Sequence, residues 1–174
     1  MRLLKLRHMS RTLGLIVQLI GFPAAHGVLP WALSLLATRH GWVEGRPGAW
    51  NLPGLIPVVI GFWVAFLCIR VHFNAAPEGW QLESTPHYPT PAYLLAEGPY
   101  RYSRNPIYLA EGVIWVGWMA FYGSLAVSGI FAIAALLLGP IVVPREERGL
   151  EARFGEAYRA YKQTTPRWIG RVRP

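Results

Sequence analysis

The chain has 174 residues, 53% of them hydrophobic and 15% charged, with a net charge of +8; soluble domains carry about 25% charged residues, so one membrane bundle is a better description than a soluble enzyme. Its nine acids are all Glu, which excludes Asp-based metal sites and Ser-His-Asp triads. The basic residues flank apolar runs and form no stripe with interleaved aromatics, which excludes nucleic acid as a partner. Taken in chain order, the first apolar segment runs from Leu13 to Ala37, interrupted by Pro23, His26, Gly27 and Pro30. It reads as a long, kinked span. Arg2, Lys5, Arg7 and Arg11 ahead of it, with the small pair Ala24-Ala25 inside it, give the outline of a signal peptide. The apolar run continues past that pair, which favours the span.

The second segment, Leu55 to Ile69, contains the single cysteine, Cys68, and is closed by Arg70. A buried, inert thiol is the expected role for Cys68, with no disulfide framework. Pro77 to Pro91 reads as a connector. The stretch SRNPIY, residues 103–108, then marks a helix start, with Asn105 as N-cap and Pro106 at the first helical position. It opens the third apolar segment, Ile107 to Tyr122. The turn Tyr122-Gly123-Ser124 joins this to the fourth, Leu125 to Val143, as a helical hairpin. A spanning helix needs roughly 20 residues, within a range of about 17–25, and all four segments are plausible spans. Beyond Pro144, Leu150, Phe154, Tyr158 and Tyr161 recur at helical spacing among Arg and Glu, as in an amphipathic helix lying on the membrane surface or under the bundle. The expected fold is all-α: one polytopic membrane bundle over residues 1–174, with about four spans and an amphipathic C-terminal helix.

Orientation follows from the basic residues. With the N-terminus inside, fifteen Lys and Arg fall on the inner face, and Arg39 and Arg46 alone on the outer one. Both termini and the 74–105 loop are therefore expected on the cytoplasmic side of a bacterial inner membrane or its equivalent.

In that topology the start of the third helix, with its unpaired N–H groups, meets an aqueous pocket where an anion could bind. Tyr100 and Tyr108 bracket it, with aromatic faces suited to a cation, and Glu146 and Glu147 offer acceptors from the same side. S-adenosylmethionine, with its carboxylate, ammonium, sulfonium and ribose, would satisfy these groups together, although each also has a plain reading as a cap, a dipole complement or an interface anchor. Tyr108, Glu111, Trp115, Trp118 and Tyr122 fall on one face of the third helix. An ionisable Glu111 one turn inside the membrane is a candidate catalytic residue by position, with snorkelling to the interface as the alternative. His26 and His72 have no ligand-spaced partners, so no metal is expected.

The motifs EGPYRYSRNPIYLAEG and REERGLEARFGEAYRAYKQTTPRWIG together resemble the isoprenylcysteine carboxyl methyltransferase and phospholipid methyltransferase superfamily of membrane enzymes. The matching elements occur in order: Gly98 and Tyr100, Arg104 to Tyr108, the hairpin, Glu146-Glu147, then Phe154-Gly155, Tyr158 and Tyr161. The resemblance covers about the last 80 residues and marks 92–170 as the cofactor-binding region. It implies S-adenosylmethionine as cofactor, carried by Ala92, Tyr93, Leu94, Leu95, Gly98, Tyr100, Asn105, Pro106, Ile107, Tyr108, Glu146 and Glu147. Asn105 stands where many members have His. The eukaryotic prenylcysteine enzymes have a substrate-contacting Arg four residues before the cofactor-binding Glu; the aligned residue here is Val142, which leaves Arg104 and Arg145 as candidates for that role. The implied acceptor is lipophilic and reached from the bilayer: a prenylcysteine carboxylate, a phospholipid amine or a small thiol. A sterol-reductase-like NADPH-binding enzyme and a non-catalytic membrane scaffold are the alternatives.

Overall fold

A computed structural model describes residues 6–76, 79–84, 89–91 and 93–170. Strand β1 (Leu6–Ser10) leads into α1 (Arg11–Ile16), which continues through π-helical turns at Val17–Gly21 and Ala24–Val28 into α2 (Leu29–Ser34). The widened turns lie beside Pro23 and Pro30. A proline removes one ladder donor and crowds the turn before it, so the helix resets there without ending. A short hairpin follows, β2 (Trp42–Val43) and β3 (Arg46–Pro47), then α3 (Leu55–Ala75). Strands β4 (Gly79–Ser84) and β5 (Pro89–Pro91) join β1 in an antiparallel sheet of order β1-β4-β5. The segment expected to be a connector thus carries strands, a small addition to a helical fold.

Next come α4 (Pro106–Tyr122), α5 (Leu125–Leu137), α6 (Val143–Phe154) and α7 (Glu156–Thr164). Asn105 and Pro106 begin α4 where expected, and Gly123, left-handed at φ 57°, ends it. Among the described residues, three helices are long and apolar enough to cross a membrane: Thr12–Ser34, Leu52–Ala75 and Leu125–Phe154. The fourth expected span, α4, is shorter. Its 17 residues are fixed by the proline at one end and the glycine turn at the other; at 1.5 Å per residue they cover about 25 Å of a roughly 30 Å hydrocarbon core. The amphipathic tail also differs from expectation at its start. It does not begin afresh at Pro144, because α5 runs through a π turn at Leu138–Val142 straight into α6. The break comes at Gly155, whose φ of 53° and ψ of −121° turn the chain into α7.

The core is the α3–α4 contact. Val58, Ala65 and Cys68 on α3, with Ala110 and Ile114 on α4, are buried at helical spacing. Small residues bring the two backbones together, as helix pairs in membranes require. A Cβ built on Gly61 would stand 2.7 Å from the Ala110 carbonyl, and one on Gly117 would stand 2.6 Å from the Gly54 carbonyl. Gly61→Ala is therefore expected to destabilise the protein by about 1–3 kcal/mol through forced helix separation. Gly129→Ala, on α5 with nothing within 4 Å of the added carbon, should be neutral or stabilising by up to about 1 kcal/mol. Thermal unfolding of both variants in detergent checks the pair.

The far end of α4 is held by the loop before α3. The Asn51 amide donates to the carbonyls of His40 at 3.0 Å, Phe121 at 2.9 Å and Ala120 at 3.3 Å, and Trp42 Nε1 donates to Phe121 at 2.9 Å. Orphan carbonyls at the C-terminus of α4 thus find donors from elsewhere in the chain.

Candidate functional site at the start of helix α4

The near end of α4 is held by the tail. Arg104 N–H donates to the Pro166 carbonyl at 2.9 Å, and Ser103 Oγ donates to Arg167 O at 3.0 Å. Glu147, on α6, ties the assembly together. Its Oε1 accepts from Arg104 Nε at 3.0 Å and its Oε2 accepts from Arg167 Nε at 3.0 Å, while Arg104 Nη1 also donates to Thr165 O at 2.7 Å. The hydrogen bonds that Arg167 donates to Glu147 push its guanidinium above its ordinary range. Tyr161, buried on α7, donates its hydroxyl to Tyr100 O.

Asn105 takes part in the same lock. It is buried, its backbone N–H donates to Ser103 Oγ, and its side-chain amide donates to Arg167 O at 3.1 Å. It sits at the N-cap position without a side-chain capping bond, so its amide faces the tail and leaves the helix N–H groups alone. Asn105→Asp is expected to destabilise by about 1–3 kcal/mol, because a carboxylate cannot donate to that carbonyl. Asn105→His, which keeps a donor, should lose less; melting temperatures of the two variants decide.

Behind this lock lies a cavity of about 180 Å³ bounded by Tyr93, Leu94, Leu95, Tyr100, Arg104, Asn105, Ile107, Tyr108 and Glu146, together with His72, Pro91, Leu150, Tyr158 and Tyr161. Tyr108 Oη donates to Glu146 Oε1 at 2.9 Å, which holds the carboxylate in the wall. His72 Nε2 lies 3.1 Å from Tyr100 Oη and its Nδ1 lies 3.4 Å from Tyr93 Oη. Burial pushes the Tyr93 phenol up to about 12 and the Tyr100 phenol well above its ordinary range, so both are protonated donors. Tyr158 Oη is buried with no hydrogen-bond partner among the described residues.

Several expected site residues lie elsewhere. Ala92 is outside the described residues. Gly98 and Pro106 line a separate groove that shares none of the described residues with this cavity. Glu147 is spent on the two arginines, and Arg145 is exposed and lines neither space. Glu111 opens on a neighbouring 180 Å³ cavity with Trp115 and Trp168. Tyr108 is a wall residue of both cavities. Glu111 also lies 3.8 Å from His26 Nε2. Farther along the aromatic face of α4, Trp118 and Tyr122 stack on each other 5.4 Å apart among Phe121 and Trp42, and Trp118 Nε1 donates to the carbonyl of His26, the neighbour of Glu111. His72 was not legible as a wall residue, because the α3 pattern shows only its apolar setting. Tyr158 and Tyr161 were signalled by the tail periodicity, though as packing.

Helices able to cross a membrane, and a cavity where α4 meets an amphipathic tail, define an integral membrane protein with a recess at its edge. The chain belongs to the phospholipid methyltransferase family, whose model matches residues 51–157, within the isoprenylcysteine carboxyl methyltransferase-like superfamily of membrane methyltransferases. Over 79 residues it is 34% identical to the cobalt-zinc-cadmium resistance protein CzcN of Cupriavidus metallidurans, covering 45% of this chain and 36% of that protein. It is 33% identical over 79 residues to the nickel-cobalt-cadmium resistance protein NccN of Alcaligenes xylosoxydans xylosoxydans, covering 45% and 37%. An uncharacterized protein of Haemophilus influenzae is 39% identical over 64 residues, which is 36% of this chain and all of that protein. The match thus spans a little over a third of the length of each resistance protein. No solved structure matches.

Proposed function

We propose that the protein is an S-adenosylmethionine-dependent methyltransferase that takes its cofactor from the cytosol and a lipophilic acceptor from the bilayer. The observation that carries this reading is the cavity between α4, α6 and α7. Its donor set fits the cofactor: a carboxylate acceptor in Glu146, phenolic donors in Tyr93 and Tyr100, and the unpartnered buried hydroxyl of Tyr158, in a chain of a methyltransferase family. At 180 Å³ the enclosed part is smaller than whole-ligand pockets of about 300–1,000 Å³, so a nucleoside-sized ligand fills it only in part.

S-adenosylmethionine supplies an electrophilic methyl group on its sulfonium. The protein's share is alignment and exclusion of water, which need no catalytic triad. Glu146 would accept from the cofactor's ribose hydroxyls or ammonium, with Tyr108 fixing its rotamer. Arg104 and Glu147 act as positioning residues by holding the tail that forms one wall. Glu111, beyond Tyr108, would face the acceptor and take a proton from a protic nucleophile. Arg145, on the exposed side of α6, would meet headgroups at the membrane surface. The fifteen-to-two asymmetry of basic residues supports both termini in the cytoplasm. A radiolabelled methyl-transfer assay against total membrane lipids, prenylcysteine analogues and lipophilic thiols tests the reading. Label should move to one acceptor class; failure to bind S-adenosylmethionine, or binding of NADPH in its place, would sink it.

A further inference from the structure

We infer that the cleft between α3 and α4 is a binding site for one anionic phospholipid, with its headgroup on Arg70 and Arg101 and an acyl chain along the two helices. The cleft is a groove of about 750 Å³. Ile60, Val64 and Leu67 recur along one wall on α3, and Leu109 and Val113 form the opposite wall on α4. The groove exists because Gly61 and Ala110 let the helix backbones touch at its floor while the larger side chains flare outward on either side. From residue 60 to residue 70 the wall runs about 15 Å at the helical rise, a length suited to most of an acyl chain.

Chemistry changes abruptly at one end. Arg70 and Asn74, one turn apart on α3, face Arg101 from the turn before α4. None of the described residues bordering the groove is acidic. Arg104, Arg159, Lys162 and Arg167 all have carboxylate partners, whereas among the described residues neither Arg70 nor Arg101 does. Two exposed, like-charged guanidinium groups beside an apolar trough complement an acidic headgroup carrying an apolar tail. They lie at the end of a membrane-crossing helix, where an anionic leaflet presents such headgroups. The groove and the proposed cofactor cavity are separate, so this inference does not depend on methyl transfer.

The test is native mass spectrometry of the detergent-solubilised protein with equimolar phosphatidylglycerol and phosphatidylcholine of matched chains. Each interfacial basic residue contributes about a fivefold preference, so phosphatidylglycerol should be retained roughly 25-fold over phosphatidylcholine. The double variant Arg70→Gln/Arg101→Gln, which alters exposed side chains only, should fold normally and lose that preference. Val64→Trp, which fills the trough, should reduce retention of both lipids. Glycerophosphoglycerol, which lacks chains, should not displace the bound lipid at the same concentration. Equal retention of the two lipids, a preference that survives in the double variant, displacement by the chainless headgroup, or a lipid-free dimer would each overturn the inference.

Discussion

Glu147→Ala is expected to lower the unfolding free energy by about 3–5 kcal/mol, the largest effect of any single change considered for this protein. Removing one member of a buried ion pair strands the other in a medium that solvates it poorly. Both side chains in the Arg104–Glu147 pair are nearly inaccessible, 9% and 6% exposed. Arg104 would keep its bond to the Thr165 carbonyl but lose its counter-charge. Arg167→Ala is the control: that side chain is 44% exposed, and its loss should cost no more than about 1 kcal/mol. Melting temperatures in detergent, read for both variants under one set of conditions, decide. Equal, small effects would mean that the tail is not anchored through this carboxylate.

The adjacent residue should behave in the opposite way. Glu146→Gln is expected to weaken S-adenosylmethionine binding by about 1.5–3 kcal/mol, the scale of a hydrogen bond to a charged group, while leaving the melting temperature close to that of the parent. Glutamine keeps the shape and can still accept from Tyr108, so the wall persists and only the charge is lost. Calorimetric titration of cofactor into the folded variant is the measurement. Unchanged affinity would assign Glu146 to packing beside Tyr108 and move the cofactor away from this cavity. The two neighbouring glutamates therefore provide a crossed test, one changing stability and the other changing affinity.

Much of this was legible in the sequence, and what was not has a physical reason. Local signals carried through: Asn105 and Pro106 begin α4, Gly123 ends it, and Leu125 opens the returning helix. These depend on turn chemistry within a few residues. Asn105 shows the limit, because its position was readable but the partner of its amide, the Arg167 carbonyl, lies 62 residues away. Glu146 and Glu147 were equivalent as a motif. The helix phase separates them, turning one toward Tyr108 and the other toward Arg104 and Arg167. Pro144 read as a helix start, yet the chain absorbs it in a π turn because an apolar helix in lipid has no water to satisfy a broken end. The pairing of β1 with β4 joins segments more than 60 residues apart in the chain, and no pattern in either strand alone announces it.

The way α4 is fastened has a consequence for biogenesis. Its far end is gripped by Asn51 and Trp42, and its near end by residues 165–167. A 17-residue segment carrying Glu111 partitions weakly into lipid by itself, so these clasps do what greasiness does for longer helices. On the ribosome the donors of the first clasp, Asn51 and Trp42, have already emerged when α4 follows, whereas residues 165–167 of the second emerge only after α5, α6 and α7. Until α6 and α7 have emerged, Arg104 lacks its Glu147 counter-charge and the cavity lacks the wall formed by Leu150, Tyr158 and Tyr161. The recess is therefore completed only once α7 has been made, and a ribosome stalled before Tyr158 would display an inserted bundle with an open, non-binding site.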